Sequence, residues 1–422
     1  MRNIALLFPG QGAQYVGMGK KLYNDFLIAR DVFEEANDVL KFNITKLCFE
    51  GSLGELSKTE NTQPALLTVG VAASRVLLNE SGIVPKYIAG HSLGEISALV
   101  CAGGINFDDA IKIVRARGRY MQEAIQPGFG KMIAINGVDS EQVNEECIRV
   151  SQIGKIVEIS NYNSHLQTVI SGQREAVDQV GEALKQQATS IVPLKVSAPF
   201  HSRFMQTVCD KLKVDLSKVT YHKFKYPVLS NVTALPYMDE DNIINMLISQ
   251  IINPVRWSRS MKFLQLQGID TVIDIGPNDV LKNLMKKNSD DIDILSCDKD
   301  DNIYESLSRE LKAPVEYENK RLEFIRNCLV IAICTPNNGI NTIESENKVI
   351  ELYRNVKSLY EKLKIENTIP TFNQMRFAID MLTSNFFTKN TPLEERRTRL
   401  VKLFNDTDTY DLFGDYINLQ NS

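Results

Sequence analysis

The pentapeptide Gly90-His91-Ser92-Leu93-Gly94 has the G-x-S-x-G spacing that can lift a serine hydroxyl out of a sheet on a tight strand-to-helix turn. The preceding Pro85-Lys86-Tyr87-Ile88-Ala89 reads as strand, and the following Glu95-Ile96-Ser97-Ala98-Leu99-Val100 reads as helix. Glycines two before and two after the serine permit the turn, and the helix's first N–H groups then lie beneath the hydroxyl. A developing oxyanion would be met there. The same spacing also suits a serine that merely turns the chain or caps the helix.

A serine hydroxyl needs a base within hydrogen-bond reach to act as a nucleophile near neutral pH. The chain has four histidines. His91 adjoins the serine and should project in a different direction; His165 follows Asn161-Tyr162-Asn163-Ser164, read as a polar loop; His222 sits in the solvent-facing stretch Tyr221-His222-Lys223. His201 follows Ser197-Ala198-Pro199-Phe200, a proline-bounded loop that sets an imidazole beside an aromatic ring. The order serine then histidine is that of hydrolase-type folds, which makes His201 the candidate base. The plainer reading is a structural histidine hydrogen-bonded in a loop.

Three arginines fall within residues 107–124, a helical pattern. Arg115 and Arg119 lie four apart on a face expected to be mostly solvated. Arg117 has Ile113, Val114, Tyr120 and Met121 at three and four residues, so its guanidinium emerges within the apolar stripe. A buried cation requires a counter-charge, either an internal Asp or Glu or a ligand carboxylate gripped by the planar two-pronged fork.

The elements that must position these groups belong to two kinds of backbone. Of 23 glycines, only Gly339 and Gly414 fall after residue 290. Residues 1–290 alternate short strands, near 4–8, 87–89, 131–135, 168–170, 228–230 and 272–275, with helical patterns, which argues for an α/β sheet. Residues 128–195 read strand, helix, strand, strand, helix, strand, the pattern of a small antiparallel sheet covered by two helices. A cleft between that insert and the larger body is the natural ligand site. From 291 onward the chain carries the net acidity, and residues 344–365 place Val349, Leu352, Val356, Leu359, Tyr360 and Leu363 on one helical face. Pro314, Pro336, Pro370 and Pro392 punctuate this tail as helix ends do.

With 48 Lys plus Arg against 52 Asp plus Glu and no basic run, the chain has no field to gather a phosphate backbone, which excludes nucleic acid as an expected partner. Its longest apolar stretches, such as residues 328–334, fall far short of the ~20 residues that span a bilayer, and the run after Met1 is too short for a secretory leader. Seven scattered cysteines with no C-x-x-C pair read as a reducing cytoplasm and no zinc or other metal site.

Taken together, Phe8-Pro9-Gly10-Gln11-Gly12, Gly90-His91-Ser92-Leu93-Gly94-Glu95, Arg117-Gly118, Asn161-Tyr162-Asn163-Ser164, Pro199-Phe200-His201-Ser202 and Asp274-Ile275-Gly276-Pro277 resemble, in order and spacing over residues 1–288, the malonyl-CoA:acyl-carrier-protein transacylases. With its helical extension the chain looks most like the free-standing, trans-acting acyltransferases that serve polyketide or hybrid lipopeptide (nonribosomal) synthases. The resemblance implies an α/β-hydrolase-like subdomain (1–127 and 199–290), a ferredoxin-like small subdomain (128–198) and a helical C-terminal extension (291–422). It implies ping-pong transfer of malonyl from CoA through an ester on Ser92 to the phosphopantetheine thiol of an acyl carrier protein, His201 serving as base and then acid, with no bound cofactor.

By the same resemblance, backbone N–H groups of Gln11 and Leu93 form the oxyanion hole, and a main-chain carbonyl near Gln250 orients the histidine. Arg117 binds the malonyl carboxylate; Phe200 leaves little room for an α-methyl branch; and Gln63, Met121, His91 and Asn163 line the pocket or its CoA entrance, although a turn asparagine serves equally for Asn163. The sequence departs from the family pattern at Lys131, where a small residue is usual, and at His165, where proline is. Carrier proteins are acidic, so docking is expected near Lys131, Arg115 and Arg119 rather than on the acidic tail. Two rivals share the scaffold: a proofreading acyl-thioester hydrolase, for which Arg117 would have no use, and a non-catalytic docking module.

Overall fold

Residues 4–8, an unbroken apolar run, are buried to the last side chain, as a strand covered on both faces requires. The computed structural model describes residues 2–126, 128–152, 154–194, 196, 198–299, 315–338, 343–366 and 368–418. Among these the strands are β1 (Ile4–Phe8), β2 (Tyr87–Gly90), β3 (Gly130–Asn136), β4 (Val157–Ser164), β5 (Gln167–Gln173), β6 (Ser190–Pro193), β7 (Val228–Leu229), β8 (Thr271–Asp274) and β9 (Asp293–Ser296).

Five of them form a parallel sheet in the order β7-β2-β1-β8-β9. Parallel neighbours need crossover connections, and helices such as Thr59–Ser81 supply them. One face of the sheet packs on Trp257, Met261, Leu264, Leu281 and Met285. In open α/β sheets ligands bind beyond the carboxyl ends of the strands; here Phe8 of β1 lies in register with Gly90 of β2, so Pro9-Gly10-Gln11 and His91-Ser92 emerge side by side.

The other four strands form an antiparallel sheet, β4-β5-β3-β6, whose chain path strand, helix, strand, strand, helix, strand is ferredoxin-like. The helices Ser140–Ser151 and Arg174–Leu184 bury Val143, Cys147, Val150, Val177, Val180 and Leu184 against Ile133, Ile135, Ile159 and Ile170 of the sheet. One expectation is corrected here. Asn161-Tyr162-Asn163-Ser164 is not a loop but the second half of β4, because the side chains of Asn161 and Asn163 find partners inside the protein and its backbone bonds both β5 and Val255.

The chain divides into two compact units, Met1–Leu78 with Ile83–Ile303, and Asn79–Gly82 with Tyr304–Ser422. The expected start of the helical extension at 291 is therefore also corrected: β9 pairs with β8, and Ile292 is buried in the core of the parallel sheet. The second unit carries the helices Val315–Cys334, Ile343–Glu366, Phe372–Thr388 and Leu393–Thr407. Prolines mark their ends as anticipated for Pro336, which follows the first, for Pro370, which precedes the Thr371 capping box, and for Pro392, the N-cap of the fourth. Pro314 lies outside the described residues. The apolar face of the second helix buries Val356 and Leu363 and half-buries Val349, Leu352, Leu359 and Tyr360.

Phe404 stands at the centre of this unit, fully buried and stacked with Phe324 at 6.5 Å. Truncation to alanine is expected to cost the helical unit about 3–5 kcal/mol, seen as an earlier loss of helical signal in chemical denaturation of the full chain.

Candidate active site

Ser92 closes the turn between β2 and the helix Leu93–Cys101 with φ 54° and ψ −107°, a conformation that costs a non-glycine residue energy and persists only where its surroundings impose it. Those surroundings are close. A Cβ on Gly94 would lie 1.9 Å from the Phe8 carbonyl oxygen and one on Gly10 2.4 Å from that of His91, so only glycines let the loop after β1 and the elbow approach so closely. Asn231 laces the turn further: its Oδ1 accepts from the Ser92 N–H at 2.7 Å, and its Nδ2 donates to the Gly90 carbonyl at 2.6 Å.

The Ser92 hydroxyl donates to His201 Nε2 at 2.7 Å. His201 Nδ1–H donates to the Gln250 main-chain carbonyl at 2.8 Å, which fixes the tautomer that leaves Nε2 free to accept a proton. The imidazole is buried, and that burial, helped by the Arg117 charge, lowers its pKa from 6.5 to about 3. The base is therefore neutral, as proton abstraction requires. Phe200 beside it is buried as well.

Arg117, on the helix Phe107–Glu123, has 2% of its surface exposed. One guanidinium nitrogen donates to Gln63 Oε1 and the other to Gln250 Oε1, each at 2.9 Å, and the second also points at Ser92 Oγ, 3.4 Å away. Among the described residues no carboxylate stands within ion-pair distance. Burial lowers its pKa to about 10, opposed by the charge of Glu95, so it is a cation at neutral pH. Of the two counter-charges weighed above, the direct internal ion pair is absent. Met121 and Gln63 touch, Nε2 to Sδ at 3.8 Å, and both are buried.

Gln11 and Leu93 sit at the ends of the two loops that flank the serine. Leu93 opens its helix, where backbone N–H groups have no carbonyl one turn back, and the Gln11 N–H makes no hydrogen bond among the described residues. The Gln11 side chain turns away to Thr59 Oγ1 at 3.3 Å. His91, as expected, points elsewhere than the serine: its Nε2 meets Asn163 Oδ1 at 2.9 Å, tying the elbow to β4. Asn163 is thus a strand residue, not a turn asparagine. A cleft of about 740 Å³ lined by the helix Ser140–Ser151, β4 and residues 252–254 reaches His201.

Arg115 and Lys131 have partners within the protein, and the two remaining histidines stay away from the serine. Arg115 is not simply solvated; it donates to the Glu60 carbonyl at 2.7 Å and lies over the Phe42 ring. Lys131 is paired with Asp178. His165 is exposed and meets Asp139 at 3.1 Å, while His222 meets Asn106 at 3.4 Å; neither approaches the serine.

Sequence reasoning passed over Glu95, Asn231 and Tyr237. Glu95 is fully buried in the first turn of the elbow helix, its carboxylate accepting from the Asn231 N–H at 3.1 Å, from Gln250 Nε2 at 2.6 Å and from the Tyr237 hydroxyl. A charged residue leading the apolar run Ile96-Ser97-Ala98-Leu99-Val100 was the available signal.

Residues 5–321 match the acyl transferase domain family. The malonyl CoA-acyl carrier protein transacylase of Bacillus subtilis is 44% identical over 287 residues, covering 68% of this chain and 72% of the relative. That of Escherichia coli K12 is 41% identical over 288 residues, covering 68% of this chain and 93% of the relative. Among solved structures, a malonyl-transacylase in complex with a type II polyketide acyl-carrier protein superposes with TM-score 0.69 at 40% identity, over 73% of this chain and 99% of that one. The transacylase of Coxiella burnetii superposes at 0.70 with 36% identity, over 74% of this chain and 97% of that one.

Because His201 is held neutral, the large ring shifts that mark imidazolium formation should be absent from pH 8 through the ordinary histidine range and set in only as pH approaches about 3. A midpoint near 6.5 in an NMR titration would show that the imidazole is not buried against Arg117 as described.

Proposed function

The chain belongs to the acyl transferase domain family, among the malonyl CoA-acyl carrier protein transacylases, and from that premise we propose that it carries malonyl from CoA to the phosphopantetheine thiol of an acyl carrier protein. The observation that carries this reading is Arg117: a buried guanidinium aimed at the nucleophile, held by two neutral amides and, among the described residues, by no contacting carboxylate. A ligand carboxylate completes its charge balance.

In this reading Ser92 Oγ attacks the thioester carbonyl while its proton passes to His201 Nε2. The negative charge that develops on the carbonyl oxygen is met by the N–H groups of Gln11 and Leu93. Collapse expels the CoA sulfur, which takes the proton from His201, and leaves malonyl-Ser92. A pantetheine thiol then gives its proton to His201 and attacks the ester, and Ser92 recovers the proton as it leaves. The Gln250 carbonyl stabilises the imidazolium in each half-reaction without itself titrating.

Selectivity follows from the same side chains. Arg117 favours an acyl group that ends in a carboxylate, and Phe200 crowds the position an α-methyl branch would occupy. A hydrolase that clears mixed acyl groups gains nothing from such a fork, and a docking module needs no nucleophile and base in contact. The family supplies fatty acid or polyketide synthesis with malonyl units, and we assign this chain to that work in the cytoplasm, serving carrier proteins in trans; no helix among the described residues is long and apolar enough to cross a membrane. CoA thioester is its substrate, with no resident cofactor in the proposed reaction.

Incubation with malonyl-, methylmalonyl- and acetyl-CoA followed by intact-protein mass measurement should show malonyl on Ser92 and none on Ser92→Ala. Arg117→Ala should lower malonyl kcat/KM roughly 10- to 100-fold, the worth of a charge-assisted pair of hydrogen bonds, while acetyl loading holds or rises. Unchanged malonyl preference in that variant would overturn the reading.

A further inference from the structure

Gln250 touches every working part of the site. Its main-chain oxygen receives His201 Nδ1–H; its side-chain oxygen receives Arg117; its side-chain nitrogen donates to the Ser92 carbonyl at 2.9 Å and to Glu95 at 2.6 Å. An amide has two ends of opposite character, and a half-turn about its last bond exchanges them. A flipped Gln250 would set an NH2 group against a guanidinium that can only donate, and the Arg117 fork would lose one of the two oxygens that hold it. Arg117 by itself favours the observed orientation only weakly, because the amide could also swing away from it. The other end has two acceptors, the Ser92 carbonyl and Glu95, and the one that carries charge when ionised is Glu95.

We infer that Glu95 is a positioning residue for malonyl recognition: its buried carboxylate locks the Gln250 amide and so serves Arg117 as a counter-charge set one residue away. This rests on the malonyl-transfer reading above. A carboxylate in direct contact with Arg117 would occupy the fork, as an internal substitute for substrate. A carboxylate behind an amide offsets part of the cost of burying the cation while leaving its substrate-facing edge unoccupied. Glu95 itself is held on three sides, by the Tyr237 hydroxyl, the Asn231 N–H and Gln250, so it cannot rotate to reach Arg117 without abandoning them.

Burial raises the Glu95 carboxyl to about 7 even against these donors and the pull of Arg117. Tyr237 is pushed well above its ordinary value and stays a hydroxyl donor, His201 is neutral down to about 3, and Arg117 is charged throughout. His91 is held below its ordinary value by burial, and among the described residues facing this network Glu95 is the carboxyl that changes charge near neutrality. Below about 7 it takes up a proton, the lock on Gln250 loosens, and malonyl recognition weakens.

The test compares the full-length protein with Glu95→Gln and Tyr237→Phe, measuring Ser92 acylation by malonyl-CoA and acetyl-CoA from pH 5.5 to 8.5, with thermal unfolding recorded for each. The inference expects Glu95→Gln to raise the malonyl KM ~10-fold or more with a much smaller change in kcat, to leave acetyl loading within about twofold, and to abolish the acid limb near pH 7. Tyr237→Phe, which preserves shape and removes one donor to the carboxylate, shifts that limb to higher pH. Equal losses toward both acyl donors, or a preference and pH profile like those of the wild type, would overturn it. Should Glu95→Gln fail to fold, an unmoved limb in Tyr237→Phe overturns it equally. A wild type that loads both acyl groups alike would instead sink the malonyl reading itself.

Discussion

Taking the Arg117 guanidinium out of water costs several kcal/mol unless other groups replace its hydration, and the layout of the site follows from how that cost is met. Two glutamine oxygens, from helices distant in sequence, replace hydration without replacing charge. The helix Thr59–Ser81 must bring Gln63, the helix Ile243–Ile252 must bring Gln250, and the elbow must bring Ser92 to the same guanidinium. Three elements of the α/β body are thereby fixed around one side chain, and the nucleophile lies within its reach.

The serine and histidine depend on that arrangement in a second way. Gln250 orients the base through a main-chain oxygen and the cation through a side-chain oxygen, so one residue serves both the group that deprotonates and the group that recognises. Neutrality is the common theme. His201 is kept uncharged by burial and by the nearby cation, and the groups that directly contact Arg117 are uncharged as well. The formal negative charge is placed one residue further back, on Glu95.

Much of this was legible in the sequence because it rests on local spacing. Glycines at 90 and 94 announce an elbow; the three- and four-residue neighbours of Arg117 place it on an apolar stripe; Pro199-Phe200-His201 marks a loop that delivers an imidazole. The Gln11, Leu93 and Gln250 backbone positions came from family resemblance, since a main-chain atom leaves no trace in residue type. What stayed hidden is joined across long stretches of chain. Asn231 and Tyr237 meet Glu95 from more than a hundred residues away, and nothing in their own surroundings singles them out. Asn161-Tyr162-Asn163-Ser164 misleads for a related reason: its composition is that of a turn, yet Val255 and His91 satisfy it as a strand. Arg115 likewise looks solvated until Glu60 arrives from the helix Thr59–Ser81 and Phe42 from the bend after Leu40.

The close approach of Gly94 to the Phe8 carbonyl has a consequence for inheritance. Coding changes replace side chains and leave every peptide N–H but those of proline in place, so the donors assigned to the oxyanion are almost beyond the reach of point mutation. Their aim is not. It is written in two residues that possess no side chain at all, and any methyl group added there would push the loop after β1 away from the elbow. Selection on this half of the chemistry therefore acts through empty space.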